Sequence, residues 1–442
     1  MASLVAAMLM VSVIVAAGAT SAGAATAPDG RIAYSAWDED LNYDIYVVDP
    51  ANPSVEPVRL TTDGLYNTNP DWSPDGSLIV YDGWSTFGGP RIQVMDTDPA
   101  TSDSTVLSEP CTPDGIDCYG DFQPAWSPDG TRIAFVSSRP NTDGTNDWGY
   151  QLYVMDAGGE VGSLPDATRL TSDIPDEETG KGIENSQVTW SPDGTRIAFL
   201  ATGRGIDEDA CDLWVMDSQD LDHDGFGDNL HQTTFDESFN CDPFEDVSPQ
   251  WSPSSSLIAF TSVRSGYFDI WVVNADDPTD IRNVTLTPDG YEDQPSWSPD
   301  GSQIIFRSDK SGAYELYSLP VPPPASAAGV HGATAPTPTQ LTFDGKSKQQ
   351  PDWGQAPGSA PDTVRLTVSK TGHGRVQSVP AGIGCGNDCL STFVHRSTVT
   401  LTATPRVGSR FKNWGGACEG RLRTCTVRMS KSKTVLARFV RR

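Results

Sequence analysis

Short apolar runs recur along the first 354 residues, separated by segments that contain Pro, Asp and Gly. Ile133-Ala-Phe-Val136 and Ile197-Ala-Phe-Leu200 are continuous in the manner of strands buried on both faces. Leu152-Tyr-Val-Met-Asp156, Leu213-Trp-Val-Met-Asp217 and Ile270-Trp-Val-Val-Asn274 are rich in β-branched and aromatic residues at period two. Ahead of each pair of runs stands a Trp followed by a turn: Asn69-Pro-Asp-Trp72-Ser-Pro-Asp-Gly76, Gln123-Pro-Ala-Trp126-Ser-Pro-Asp-Gly130, Trp190-Ser-Pro-Asp-Gly194, the degenerate Trp251-Ser-Pro-Ser-Ser-Ser256, and Gln294-Pro-Ser-Trp297-Ser-Pro-Asp-Gly301. In Pro-Asp-Gly the proline fixes φ and the glycine takes positive φ, so the Trp strand folds back on the next one. Short Leu-Thr segments, such as Leu60-Thr61, Leu170-Thr171 and Leu341-Thr342, close most units. The pattern predicts four antiparallel strands per unit.

A single sheet of this kind cannot bury both faces, and radial stacking solves that problem. The first unit, from Ala27-Pro-Asp-Gly30, lacks its Trp strand, whereas Gln349-Gln-Pro-Asp-Trp353-Gly354 has the Trp strand and nothing after it. Joined in space, the two ends make one repeat, and the Trp positions 72, 126, 190, 251, 297 and 353 then number six. The expectation is an all-β fold: a six-bladed β-propeller closed by its N- and C-terminal strands. The pattern resembles the TolB-like propeller family, whose repeat runs Pro-x-Trp-Ser-Pro-Asp-Gly, Ile-Ala-Phe and Ile-Tyr-Val-Met-Asp. That resemblance implies a fold and not an activity. TolB itself carries an N-terminal α/β domain with no counterpart here, so binding of a lipoprotein partner is not carried over.

Strand order divides the loops between two faces. One face receives the long segments Ser137–Gln151, Ser172–Gln187, Ala201–Asp212 and Thr233–Pro249, and with them many acids, including Asp38, Glu39, Asp40, Asp207, Glu208, Asp209, Asp242, Glu245 and Asp246. Variable segments on a rigid scaffold are where propellers bind. Three residues before each Trp stand Asn69, Gln123, Gln187, Ser248, Gln294 and Gln350. They predict a polar ring near the axis; its amides either meet a ligand or only bond to neighbouring blade edges.

Charge divides the chain. Lys and Arg number 30 against 59 Asp and Glu, a net of −29, which disfavours binding to nucleic-acid phosphates. Residues 363–442 nevertheless carry 15 bases and only Asp388 and Glu419 as acids, a net of +13, leaving −42 on the rest. Met1 to Ala27 is uncharged, with an apolar run from Leu4 to Ala17 and small residues through Ala25. That reads as a secretory signal over 1–25, with no transmembrane span once it is cleaved. No Lys or Arg precedes the run, which leaves open a start further upstream, and an uncleaved anchor is the rival reading. Eight cysteines fall in close pairs, Cys111/Cys118, Cys211/Cys241, Cys385/Cys389 and Cys418/Cys425, as expected of disulfides in an oxidising compartment. A secreted or cell-surface location follows, periplasmic if the cell has an outer membrane.

The sharpest local motif is Asp220-Leu-Asp222-His-Asp224-Gly-Phe226-Gly-Asp228. Carboxylates at alternate positions, a carbonyl at Phe226 and a final Asp228 supply the hard oxygens that calcium prefers. His231 stands where a helix-flanked calcium hand has its bidentate Glu, so the motif looks like an extracellular Asp-rich loop with structural calcium.

Pro320–Pro338 is a Pro/Ala-rich excursion within the last blade, the propeller spans 26–354, and 355–362 reads as a linker. The unit 363–442 contains Ile383-Gly-Cys-Gly-Asn-Asp-Cys389, Val399-Thr-Leu-Thr-Ala-Thr-Pro405, Trp414-Gly-Gly-Ala-Cys418 and Cys425-Thr-Val-Arg-Met429. It resembles the divergent InlB B-repeat family, which implies a small disulfide-stapled, β-grasp-like domain without catalytic residues. Its four cysteines allow three connectivities, of which the two local bridges are favoured. Its positive charge fits docking on the acidic propeller or, the favoured reading, holding the protein to an anionic envelope polymer.

No Gly-x-Ser-x-Gly elbow and no βαβ stretch is present, and the five His are scattered. The reading is a scaffold for a protein or glycan ligand at the loop-rich face, with no catalytic residues. The alternative is an extracellular carbohydrate-active enzyme using carboxylates at the channel.

Overall fold

The computed structural model describes residues 30–37, 42–85, 88–97, 104–108, 119–139, 149–157, 167–171, 184–202, 211–218, 227–234, 248–287, 290–321, 336–355, 363–379, 383–385, 389–394, 398–429 and 432–441. The segment expected to be a signal, the linker beyond Gln355 and the acids expected on the loop-rich face lie outside the described residues. Among those described, every regular element is a strand, and no helix is long and apolar enough to cross a membrane.

The described residues between 30 and 354 form six four-stranded antiparallel sheets. Five follow chain order outward from inner strands at Asn67–Trp72, Asp121–Trp126, Glu184–Trp190, Gln250–Trp251 and Glu292–Trp297. The sheet called here the first blade is composite. Lys348–Gly354 is its inner strand and pairs with Arg31–Trp37, setting Trp353 opposite Ile32 and Lys348 opposite Ala36. An apolar cluster fills each contact between consecutive blades, and the ring includes the contact of sixth with first, where Ile305, Leu316 and Leu341 meet Ile32, Tyr34 and Trp353. A fully buried side chain of this size contributes roughly 1.5–3 kcal/mol, so these interfaces are the main adhesive of the ring.

The turn after each Trp closes by local chemistry. Asp75 Oδ1 accepts from the Ser73 hydroxyl at 2.8 Å, the Ser77 N–H at 3.0 Å and the Ser77 hydroxyl at 2.7 Å, while Gly76 sits at φ 68°. Asp129, Asp193 and Asp300 accept in the same way. Burial alone would raise Asp75, Asp193 and Asp300, but these donors outweigh it and hold all three below the usual carboxylate range. The Leu-Thr segments have an equally local reason. Thr61, Thr171, Thr234, Thr285 and Thr342 accept the first core N–H of the third strand at 2.9–3.0 Å, and Ser108 does so at 3.1 Å in the second blade.

The described residues between 363 and 441 form two further four-stranded sheets. In one, Thr363–Thr371 and Lys433–Arg441, the first and last strands of the unit, pair in parallel. Between the sheets lies a core of Leu366, Val376, Leu401, Trp414, Met429 and Phe439. Cys418 and Cys425 are disulfide-bonded, with Cα atoms 6.1 Å apart, and the Trp414 indole donates to the Leu422 carbonyl at 2.9 Å within the same loop. Cys211 and Cys389 are also in disulfides. Cys111, Cys118 and Cys241 lie outside the described residues, as does the side chain of Cys385.

Candidate functional site

The inner strands share one irregularity. The third residue before Trp adopts positive φ, 51° at Asn69, 51° at Gln123, 55° at Gln187, 35° at Ser248, 52° at Gln294 and 48° at Gln350, and in every blade but that of Ser248 the ladder to the second strand slips there. Five of the six are followed by proline, which has no N–H to give to a ladder. A non-glycine residue in this region is strained and persists only where its surroundings hold it.

What holds it is the neighbouring blade. The freed backbone N–H of Gln350 donates to Gln294 Oε1 at 2.8 Å, and that of Asn69 to Gln350 Oε1 at 3.4 Å. Gln187 N–H reaches Gln123 Oε1 at 2.9 Å, and Ser248 N–H reaches Gln187 Oε1 at 2.7 Å. The ring changes partner where a side chain is too short. Asn69 cannot span to Gln123, so the Gln123 N–H donates to Asp82 Oδ1 at 3.0 Å, which also accepts the Asn69 amide at 2.7 Å. Ser248 is shorter still, and the Gln294 N–H finds the Thr261 hydroxyl at 3.1 Å. A backbone N–H can only donate, so each glutamine must turn its oxygen to the next blade.

One step deeper, the residue before Trp repeats the device with other chemistry. Asp352 Oδ2 accepts the Trp72 N–H at 2.9 Å, Asp71 Oδ2 the Trp126 N–H at 2.6 Å, Thr189 the Trp251 N–H at 3.2 Å, and Ser296 the Trp353 N–H at 3.2 Å. Asp352 Oδ1 also accepts the Ser296 hydroxyl at 3.0 Å. Where the position is Ala125 or Gln250, its carbonyl takes the indole of Trp190 or Trp297 instead, at 3.1 and 2.9 Å.

The two rings enclose the axis. The amide level surrounds a cavity of about 120 Å3, and beyond it the six tryptophans with five Ser-Pro turns surround a wider one of about 610 Å3; Asp71 and Asp352 line both. These carboxyls have protein on every side and only part of their surface on the channel. Burial raises both, and the neighbouring Asp352 charge pushes Asp71 up further. Asp82 is raised to about 6 by burial, against which the Thr68 hydroxyl, Gln123 N–H and Asn69 amide pull.

All five amides expected from spacing, Asn69, Gln123, Gln187, Gln294 and Gln350, line this channel together with Ser248. Asp71, Asp82 and Asp352 were not expected from the sequence. Of the candidate calcium ligands, Asp220, Asp222, Asp224 and Phe226 lie outside the described residues. Asp228 is described, and its carbonyl accepts the Asp217 N–H at 2.7 Å. Among the described residues no three His, Cys, Asp or Glu side chains gather as metal ligands. The channel is therefore lined by amide side chains at one level and by carboxyls committed to backbone N–H groups at the next.

Residues 233–356 match the model of the TolB β-propeller domain, and residues 364–442 that of the divergent InlB B-repeat domain. An uncharacterized protein of Agrobacterium fabrum is 31% identical over 175 residues, which is 39% of this chain and 52% of that protein. The match thus spans about half the length of the curated relative. Among solved structures, TolB from Acinetobacter baumannii superposes with a TM-score of 0.51 at 19% identity, covering 74% of this chain and 67% of its own. Kuenenia stuttgartiensis hydrazine synthase gives 0.52 at 13% identity, covering 81% of this chain and 57% of its own. At these identities the likeness to solved structures is one of fold.

Proposed function

We propose that this chain is a secreted or cell-surface binding scaffold, whose propeller takes a protein or glycan ligand at its loop-rich face. The observation that supports this most is how the channel spends its polar groups. Amide oxygens and carboxylates that could serve chemistry are engaged in blade-to-blade hydrogen bonds. The cavity within the amide ring, about 120 Å3, is also well below the roughly 300–1,000 Å3 of ordinary small-molecule sites, and the wider one of about 610 Å3 is walled chiefly by the tryptophans and Ser-Pro turns. A carbohydrate-active enzyme would need Asp71 and Asp352, yet Asp352 already uses both its oxygens on Trp72 and Ser296. Capture of envelope components without turnover of an oligosaccharide panel is the expected outcome, and turnover that Asp71→Asn abolishes would reverse the reading.

In this proposal the C-terminal unit, net +13, tethers the protein to an anionic envelope polymer. Retention on isolated cell walls should fall with added salt and should be lost without residues 363–442; equal retention of both forms would refute the tether. Calcium is proposed as a structural ion at Asp220, Asp222, Asp224, the Phe226 carbonyl and Asp228. Calcium should raise the melting temperature, and Asp222→Ala with Asp224→Ala should remove that shift.

A further inference from the structure

In the C-terminal unit the strands Ser409–Gly416 and Lys433–Arg441 pair at one side of a sheet and gather bases at its corner. Val435, Ala437 and Phe439 are buried in the core, so Arg438, between two of them, stands on the outer face opposite Asn413. Arg410 lies on the same face opposite Val440, and Lys412 sits in the bulge between Phe411 and Asn413. Arg441 is opposite Ser409 at the end of the ladder. Arg406 lies in the turn that leads into it, its carbonyl accepting the Ser409 N–H at 3.0 Å. All five bases are exposed.

No carboxylate neutralises them. Among the described residues, no ion pair and no side-chain hydrogen bond engages any of the five. Arg410 and Arg438 are diagonal neighbours across the ladder, a separation of roughly 7–8 Å, and like charges so close on one face oppose each other. An anionic partner relieves that repulsion. The other sheet of the unit differs. Its outward positions are mainly hydroxyls, Thr400, Thr402 and Thr404 beside Thr424 and Thr426, with Arg375, Arg423 and Arg428 only at its borders.

The chemistry of the corner narrows the anion. Four of its five bases are arginines, whose planar fork meets two oxygens of one phosphate. A phosphodiester chain carries its charge in the backbone itself, so one strand of it laid over the corner meets bases from both protein strands. A polyuronate holds its carboxylates out to alternate sides instead. The rest of the chain, at −42, repels either polymer and leaves the contact to this unit.

We infer that the corner formed by Arg406, Arg410, Lys412, Arg438 and Arg441 binds a phosphodiester-linked polymer of the cell envelope. The inference rests on the tether reading and narrows it to one face and one anion chemistry.

Titration of the full chain with soluble poly(glycerol phosphate) across a salt series tests it. Affinity should fall with salt. Arg410→Gln, Lys412→Gln and Arg438→Gln together should lower the slope of log affinity against log salt by about 2–3, at roughly 0.7–0.9 for each lost contact. Arg410→Lys with Arg438→Lys keeps the charges and should keep the slope. The matched set on the other sheet, Arg375→Gln, Arg423→Gln and Arg428→Gln, should lower it by less than about 1. Equal loss of slope in the two triple variants, no binding of this polymer, or equal binding of polygalacturonate would each overturn the inference. If the parent chain is still retained on isolated cell walls, those results leave the tether reading standing. That reading fails separately, when the parent chain is not retained there at all.

Discussion

Asp352 Oδ2 accepts the backbone N–H of Trp72, a residue 280 positions earlier in the chain, at 2.9 Å. The bond joins the last inner strand to the first uninterrupted blade. With Gln350 Oε1 on the Asn69 N–H, it seals the ring at two depths beside the axis. The axial polar groups are thus fasteners first, which leads to distinct expectations for each.

Gln294→Ala removes the acceptor from the Gln350 N–H and leaves a part-buried donor with nothing to meet. The cost should be about 1–3 kcal/mol, read from chemical denaturation. Gln294→Glu, which keeps an oxygen at the same reach, should recover most of it.

The raised carboxyls set a pH dependence whose sign can be worked out. Asp82 titrates at about 6 in the folded protein against 3.8 as its ordinary value, and Asp71 and Asp352 are raised in the same direction. The native state therefore takes up these protons at higher pH than the unfolded chain. Stability falls as pH rises through that window and recovers on acidification towards the ordinary carboxylate value. Asp75, Asp193 and Asp300 are lowered, and their contribution is lost only below the usual carboxylate range. The melting temperature should peak at mildly acidic pH. Asp71→Asn keeps an oxygen for Trp126 and removes the like charge beside Asp352, so it should raise the melting temperature at neutral pH and flatten the rise on acidification.

Lys348 is fully buried at the start of the closing strand. Its ammonium lies 2.9 Å from Glu315 Oε2, with Asp344 and the Lys346 carbonyl as further partners. Lys348→Ala strands the Glu315 carboxylate and should cost about 3–5 kcal/mol. Lys348→Met combined with Glu315→Gln should cost much less, since no unpaired charge remains; denaturation of the single and double variants measures the difference.

In the C-terminal unit, Cys418→Ser with Cys425→Ser should lower stability by about 2–3 kcal/mol, the loop-closure value for so short a span. Thermal melting of the full chain should show that loss in the unit's own transition and leave the propeller's unchanged.

The blade repeat was legible because Trp-Ser-Pro-Asp-Gly encodes its turn locally: the aspartate, the serine and the glycine that close it are all within the motif. The amide ring was legible as a spacing, three residues before Trp, but not as a backbone state. Nothing in Gln294-Pro-Ser announces positive φ, which exists only because the neighbouring blade supplies an acceptor. Asp71 and Asp352 were hidden for the same reason. Their position reads Asp, Ala, Thr, Gln, Ser and Asp around the ring, and what unites these types is an oxygen offered to the next blade. Lys348, in Gly345-Lys-Ser-Lys-Gln, reads as surface until Glu315, 33 residues earlier, is folded beneath it. For the basic corner, the sequence shows the charge of Arg410, Lys412 and Arg438 but not that Lys433–Arg441 pairs beside Ser409–Gly416.

Because the final propeller strand is an innermost one, the polypeptide departs beside the axis, where Gly354 and Gln355 line the tryptophan-side cavity. Anything appended there is leashed at the hub rather than at the rim. A pull along that strand loads the ladder between Lys348–Gly354 and Arg31–Trp37 lengthwise, so its bonds share the force together instead of unzipping in turn.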